Sequence, residues 1–134
     1  MIKREVTLVL ILIVILDLDS DEQFDIFCIV FAILHLGNVL FCETKNDQAS
    51  IEMDECLNYP ASLLCVDREF LRQKLTSRVM ETKWGASAEK VIVACNVTQA
   101  EATRDALAKE LYSRLFDYLV QVIIYVFHIN CCTL

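Results

Sequence analysis

Apolar residues follow three different periods along this chain, and each predicts a different element. Residues 6–16, VTLVLILIVIL, form an apolar run interrupted only by Thr7. Residues 24–36, FDIFCIVFAILHL, are apolar nearly all the way round at helical spacing. That pattern predicts a helix buried on every side, with His35 as a core histidine making one hydrogen bond. Gly37 and Asn38 follow and are expected to end it, since both tolerate a left-handed C-cap. The polar stretch 43–56, ETKNDQASIEMDEC, reads as a surface connection. The stretch 59–75, YPASLLCVDREFLRQKL, then predicts two short helices with Leu63, Leu64, Phe70, Leu71 and Leu75 facing inward.

The period changes at Ser77. RVMETK (78–83) alternates, and KVIVAC (90–95) is rich in β-branched residues, which favour strands. Between them lies WGASAE, where Gly85 is free to take positive φ, so residues 78–95 predict a β-hairpin. Trp84 near the tip is expected to pack back on the hairpin base. A long amphipathic helix follows over about 99–120. Thr98 with Glu101 three residues later has the form of a capping box, and Glu101 suits the positive end of the helix dipole. Leu107/Ala108, Leu111/Tyr112, Leu115/Phe116 and Leu119/Val120 recur every turn as an apolar face. Asp105–Lys109 and Glu110–Arg114 are spaced for ion pairs, each adding roughly 0.2–0.5 kcal/mol. The fold class is therefore mainly α with one β-hairpin.

Composition sharpens this picture. The 134 residues are 56 % hydrophobic and 23 % charged, with only two glycines and one proline. Compact folds normally spend more of both on turns, so the excess apolar surface calls for a partner: the rest of a longer protein, or a membrane. The formal net charge of −7 argues against nucleic acid, which needs clustered cations to displace counterions from phosphate. Seven cysteines without a CxxC pair read as reduced, mostly buried thiols. His128, Cys131 and Cys132 lie close together but lack a fourth metal ligand at a familiar spacing. Asn96-Val97-Thr98 is formally a glycosylation sequon, relevant only to a secreted chain. The run 6–16 has signal-peptide proportions and falls well short of the ~20 residues a spanning helix needs. The acidic DLDSDEQFD after it lacks a small-x-small cleavage pattern, which favours a buried helix or strand, or sequence foreign to the parent fold.

DALAK (105–109) and its neighbours carry a resemblance. ILHLGN (33–38), LTSRVMETKWG (75–85), NVTQA (96–100) and RDALAKELYSRLFDYLV (104–120) stand in one order and spacing, and together they resemble the myosin motor head. FDIFCIVFAILHLGN and KLTSRVMETKWG look most like the long-tailed class I myosins. The resemblance implies a fragment of the upper 50-kDa subdomain over 22–120, a partial piece of a P-loop NTPase head. It also implies that the hairpin of 78–95 is the cardiomyopathy loop, which reaches to actin. Lys83, Trp84, Gly85, Ser87, Glu89 and Lys90 are then the candidate contacts. In that family a phosphorylatable or acidic residue lies sixteen positions before the Asp of DALAK; here it is Glu89, a fixed carboxylate that needs no kinase.

The departures bear on activity. Gly37 and Gly85, the two glycines, do not precede a lysine, so no glycine-rich phosphate loop exists in this chain. Switch I and switch II fall outside the matched region. Residues 1–21 and 121–134 leave the family pattern as apolar ends. The expectation is thus no catalytic, cofactor or metal residue in this chain, with ATP and Mg belonging to the parent motor. The implied partners are the actin filament and the remainder of the head, the implied location is the cytoplasmic actin cytoskeleton, and a membrane enters only through the absent tail or the apolar ends. A second reading is a non-enzymatic helical interaction module tethered by those ends.

Overall fold

The computed structural model describes residues 18–84 and 87–132. In chain order they form α1 (Ser20–Leu36), β1 (Phe41–Glu43), β2 (Ala49–Ile51), a 3-10 turn (Asp54–Leu57), α2 (Asn58–Leu63), α3 (Arg68–Thr76), β3 (Ser77–Trp84), β4 (Ser87–Ala94) and α4 (Val97–Cys132). The mainly helical class holds. The hairpin expected over 78–95 is present as β3 and β4, which pair antiparallel from Ser77↔Ala94 to Trp84↔Ser87. A second hairpin, smaller and not expected, is cut from the polar connection: β1 pairs with β2 from Phe41↔Ile51 to Glu43↔Ala49. Asp47, at φ 56, supplies the left-handed residue of its turn.

α1 starts four residues before the apolar run because Asp19 caps it. Its Oδ1 accepts from the Asp21 and Glu22 amides at 3.0 and 2.8 Å, and Glu22 Oε2 accepts from the Asp19 amide. This reciprocal box satisfies donors that a helix start otherwise leaves open. α1 is not buried on every side: Ile26, Ala32 and Leu36 are, whereas Phe24 is 66 % and Phe31 49 % exposed. α1 packs on α2 and α4 along one face, and nothing among the described residues covers the other. Gly37 does not take the left-handed conformation; its φ is −61°. The helix tightens out instead, with Asn38 N–H donating to His35 O and Val39 N–H to Leu36 O. The His35 ring is half-buried and stacks on Tyr59 at 4.8 Å.

Two clusters hold the chain together. Leu18, Ile26, Leu115 and Leu119 join α1 to α4, flanked by Val122 and Ile123. Val39, Ile51, Leu57, Ala61, Leu71 and Leu75 gather α2, α3 and the small hairpin over Leu107. Of the inward residues expected in α2 and α3, Leu71 and Leu75 are buried, and Leu63 and Leu64 half-buried. Phe70 is 52 % exposed, lying beneath the Lys74 ammonium at 5.1 Å. The thiols are less buried than expected: Cys95 is buried, Cys28 and Cys56 half-buried, and Cys42 and Cys65 exposed. Cys65 sits at φ 54 in the turn that closes α2, and Cys42 on a two-stranded edge, neither of which the core reaches.

α4 begins two residues earlier than expected and runs on to residue 132. Its cap is Asn96, not Thr98. Asn96 Oδ1 accepts from the Gln99 amide at 2.9 Å, and Gln99 Oε1 accepts from the Asn96 amide at 3.2 Å. Asn outranks Thr as a cap, and Thr98 then lies inside the first turn. Asn96→Ala is therefore expected to cost about 1 kcal/mol in a denaturation series, and Thr98→Ala only a few tenths; equal losses would restore Thr98 as the cap. The Glu110–Arg114 pair forms at 2.7 Å. Asp105 takes Arg104 at 2.8 Å rather than Lys109, because Arg104 is drawn inward to the Val39 carbonyl.

Candidate functional site

The long hairpin is fixed at its base. Cys95, 2 % exposed, is the anchor: its N–H donates to Thr76 O at 2.8 Å and its carbonyl accepts from Ala49 N–H at 2.7 Å. One residue thereby ties the outgoing strand of the arm to α3 and to the small hairpin. Ser77 Oγ donates to Gln73 O at 2.6 Å, turning the chain sharply out of α3 into β3. Asp54 holds Arg72 in a close ion pair, and Arg72 Nε reaches Glu69 at 3.0 Å, bracing the helix from which the arm springs. The hydrogen bond from Arg72 keeps the Asp54 carboxyl below its usual range, against a smaller opposing effect of burial. Arg72 is raised by the same bond.

Just beyond the base both faces of the arm meet solvent at the described side chains. Cross-strand partners Val79↔Ile92 and Met80↔Val91 fall in opposite alternate sets, so they lie on opposite faces. All four are exposed, between 42 and 61 %. A β-branched run such as VIVA predicts burial on both faces; here it forms a bare apolar collar around a projecting ribbon. Sequence reasoning did not anticipate the collar, although the lack of polar alternation in KVIVAC was its signal.

The register sorts the six candidate residues. Positions 84, 87 and 89 belong to the alternate set of Met80 and Val91, with Trp84↔Ser87 and Thr82↔Glu89 as partners. Lys83 and Lys90 belong to the set of Val79 and Ile92, partnered by Ala88 and Glu81. Five of the six are thus brought onto one arm but on two faces of it. Lys90 is exposed, and its Nζ lies 3.5 Å from Glu81 Oε1. Gly85 lies outside the described residues, as do the side chains of Lys83, Trp84, Ser87 and Glu89, and with them the expected packing of Trp84 on the base. Formal charge on the arm is three cations (Arg78, Lys83, Lys90) against two anions (Glu81, Glu89), opposite in sign to the −7 of the whole chain.

A groove between α1 and α4 is a second concave feature. Its floor is Ile26, Ile29, Leu111 and Leu115, and its rim carries Glu22 and Arg114. An apolar floor without a glycine-rich turn offers no cradle of backbone amides to a phosphate. Tyr118 closes one end, its hydroxyl 3.4 Å from Glu22; burial first, and then the Glu22 carboxylate, raise its pKa. Among the described residues no cluster of three or more His, Cys, Asp or Glu could hold a metal, and no helix is long and apolar enough to cross a membrane. The side chains of Cys131 and Cys132 lie outside the described residues.

Comparison with known proteins bears on the family of the chain. The family model of the myosin head (motor domain) matches residues 3–131. Myosin-1 of Lodderomyces elongisporus is 42 % identical over 105 residues, covering 78 % of this chain and 8 % of that protein. Human unconventional myosin-VI is 43 % identical over 113 residues, covering 77 % and 8 %. Myosin-1 of Coccidioides immitis is 45 % identical over 101 residues, covering 75 % and 8 %. The chain spans less than a tenth of the length of these relatives. With a family model along nearly its whole length and identities above 40 % across three quarters of it, the chain belongs to the myosin head (motor domain) family.

Proposed function

We infer that this chain is a segment of an actin-based motor head, of the class I kind, and that its long hairpin forms part of the surface gripping the filament. One observation carries the reading: the ribbon of residues 77–94 stands clear of both clusters, apolar on both faces and net positive, on a base locked by Cys95. Such an arm has no packing task within the described residues, and its exposed collar and charge suit a large partner surface. Relatives named Myosin-1 and myosin-VI match about equally well; the wording of residues 24–38 and 74–85 favours class I. In the parent, ATP and Mg bind elsewhere in the head. This chain alone hydrolyses nothing. Glu89 supplies a permanent negative charge where other members of the family use a phosphorylated residue, so filament binding proceeds without a heavy-chain kinase.

Filament co-sedimentation of the parent motor head tests this. Glu89→Lys is expected to weaken actin affinity and actin-activated ATP turnover several-fold and to leave basal turnover unchanged. Glu89→Asp should retain most of the affinity. Unchanged affinity in Glu89→Lys, or tight Mg-dependent ATP binding by the 134-residue chain itself, would overturn the reading.

A further inference from the structure

Two surfaces of this chain each carry what the other lacks. On the arm, Arg78, Met80, Val91 and Val93 share one face, because Arg78↔Val93 and Met80↔Val91 are cross-strand partners two positions apart. Met80 and Val91 are 42 and 43 % exposed, and Arg78 is exposed without a carboxylate partner among the described residues. The opposite face differs, since Lys90 there already stands 3.5 Å from Glu81. The groove between α1 and α4 has the complementary character. It encloses about 490 Å³ over its floor of Ile26, Ile29, Leu111 and Leu115, room for several apolar groups. Its rim is acidic in effect. Arg114 is bound to Glu110 at 2.7 Å, whereas Asp25 is exposed and has no cation partner among the described residues. Glu22 adds a second carboxylate, engaged by its own cap and by Tyr118. Among the described residues none from the arm lines the groove, so the chain does not fill it with its own hairpin.

We propose that the groove of one copy of this chain receives the Arg78, Met80 and Val91 face of the arm of a second copy, with the arm's Arg78 beside the groove's Asp25. Charge selects this occupant. An apolar floor alone accepts any apolar surface, but a carboxylate rim repels most of a chain whose net charge is −7. The arm is the part with the opposite sign. Burial of Met80 and Val91 supplies the attraction, and the Arg78–Asp25 pair fixes the register. The contact can also be made twice. The arm root adjoins the start of α4 at Val97, and the groove lies over residues 111–118, about 20–30 Å further along that helix. When two copies set their α4 helices antiparallel, each arm root comes level with the other's groove. Both contacts then form at once and the pair closes on a two-fold axis. The pairing occupies one face of the arm, leaves the Val79 and Ile92 face open, and stands independently of the filament reading.

Sedimentation velocity of the full 134-residue chain, over about 1–200 μM as suits a small interface, tests the pairing. A monomer–dimer equilibrium is expected. Arg78→Glu and Asp25→Arg each set like charges against one another at both contacts and should weaken dimerisation about tenfold or more. Both residues are exposed in the single chain, so its fold should survive either change. The decisive sample is an equimolar mixture of the two variants. In it every arm again meets a groove of opposite charge, and a one-to-one pair should return to within about threefold of the parent affinity. A chain that stays monomeric throughout, single variants that dimerise as tightly as the parent, or a mixture that does not pair would overturn the proposal. Growth into ever larger species would do so too, because it marks an open contact and not a closed pair. Should a charge variant fail to fold, Met80→Glu at an exposed strand position removes the apolar part of the contact and is expected to weaken dimerisation by the same factor. Undiminished dimerisation there would sink the arm-in-groove contact.

Discussion

Leu75→Ala is expected to destabilise the chain by about 2–5 kcal/mol, the range for truncating a fully buried leucine in a core that cannot collapse around the void. Leu75 is 1 % exposed and lies in the cluster of Val39, Ile51, Leu57, Ala61 and Leu71. Four of those neighbours come from four elements held by their own backbone bonds and Val39 from the connection after α1, so little relaxation into the void is open to them. A loss of that size is a large share of the 5–15 kcal/mol typical of a whole domain. The position adds a second effect. Leu75 precedes Thr76, whose carbonyl accepts from Cys95, and Ser77, where β3 begins, so a loosened end of α3 releases the root of the arm. Urea denaturation should show the lost stability, and amide exchange should show hairpin protection falling with it. Phe70→Ala, one turn earlier but half exposed, is the control and should cost less than about 1 kcal/mol. Equal costs at the two positions would mean that the cluster is not the support of the hairpin.

The arm was legible because its residues alternate or branch at Cβ over eight positions on either side of a glycine-containing turn, a pattern that helices do not share. The caps show where local pattern stops deciding. Asn96–Gln99 and Thr98–Glu101 have the same spacing, and both satisfy the requirements of a reciprocal cap. What decides between them is where the backbone leaves β4, and Cys95 fixes that through bonds to Thr76 and Ala49, residues distant in sequence. The end of α4 was misplaced for the opposite reason: past residue 120 the charges that drew one face vanish, while helical conformation continues to Cys132 without them. Phe24, Phe31, Phe70 and Phe116 mark the largest gap between pattern and packing, each about half exposed or more. Hydrophobic periodicity says that a face wants cover. It does not say that the cover is in the same 134 residues, and this segment spans less than a tenth of the length of its relatives. The candidate contact residues came from family register alone; physical reasoning on the sequence would have read Glu89 as an ordinary solvated strand residue.

Arg104→Ala is expected to cost about 2–3 kcal/mol, the second-largest effect, although nothing in the amphipathic pattern of the helix singles the residue out. Its side chain is 15 % exposed, and Nη1 donates to the Val39 carbonyl at 2.7 Å, across 65 positions of sequence. Val39 itself is fully buried. Removing the guanidinium leaves that carbonyl without its charged donor, a loss of about 1–3 kcal/mol where water cannot enter. The guanidinium also stands 6.0 Å above the Phe41 ring, an attraction of about 0.5–1 kcal/mol. Asp105, on the solvent side at 2.8 Å, contributes little by comparison, as exposed ion pairs do. The series Arg104→Ala, Arg104→Lys and Asp105→Ala separates these effects in one set of denaturation curves. Lysine keeps the charge but not the planar fork, so it should recover less than half of the loss, and Asp105→Ala should stay within about 0.5 kcal/mol of the parent. A double-mutant cycle with Phe41→Leu should show coupling of about 0.5–1 kcal/mol. Were Asp105→Ala to cost as much as Arg104→Ala, the residue would be acting as one half of a surface ion pair. It would then not be the pin that holds α4 against the end of α1 and the start of β1.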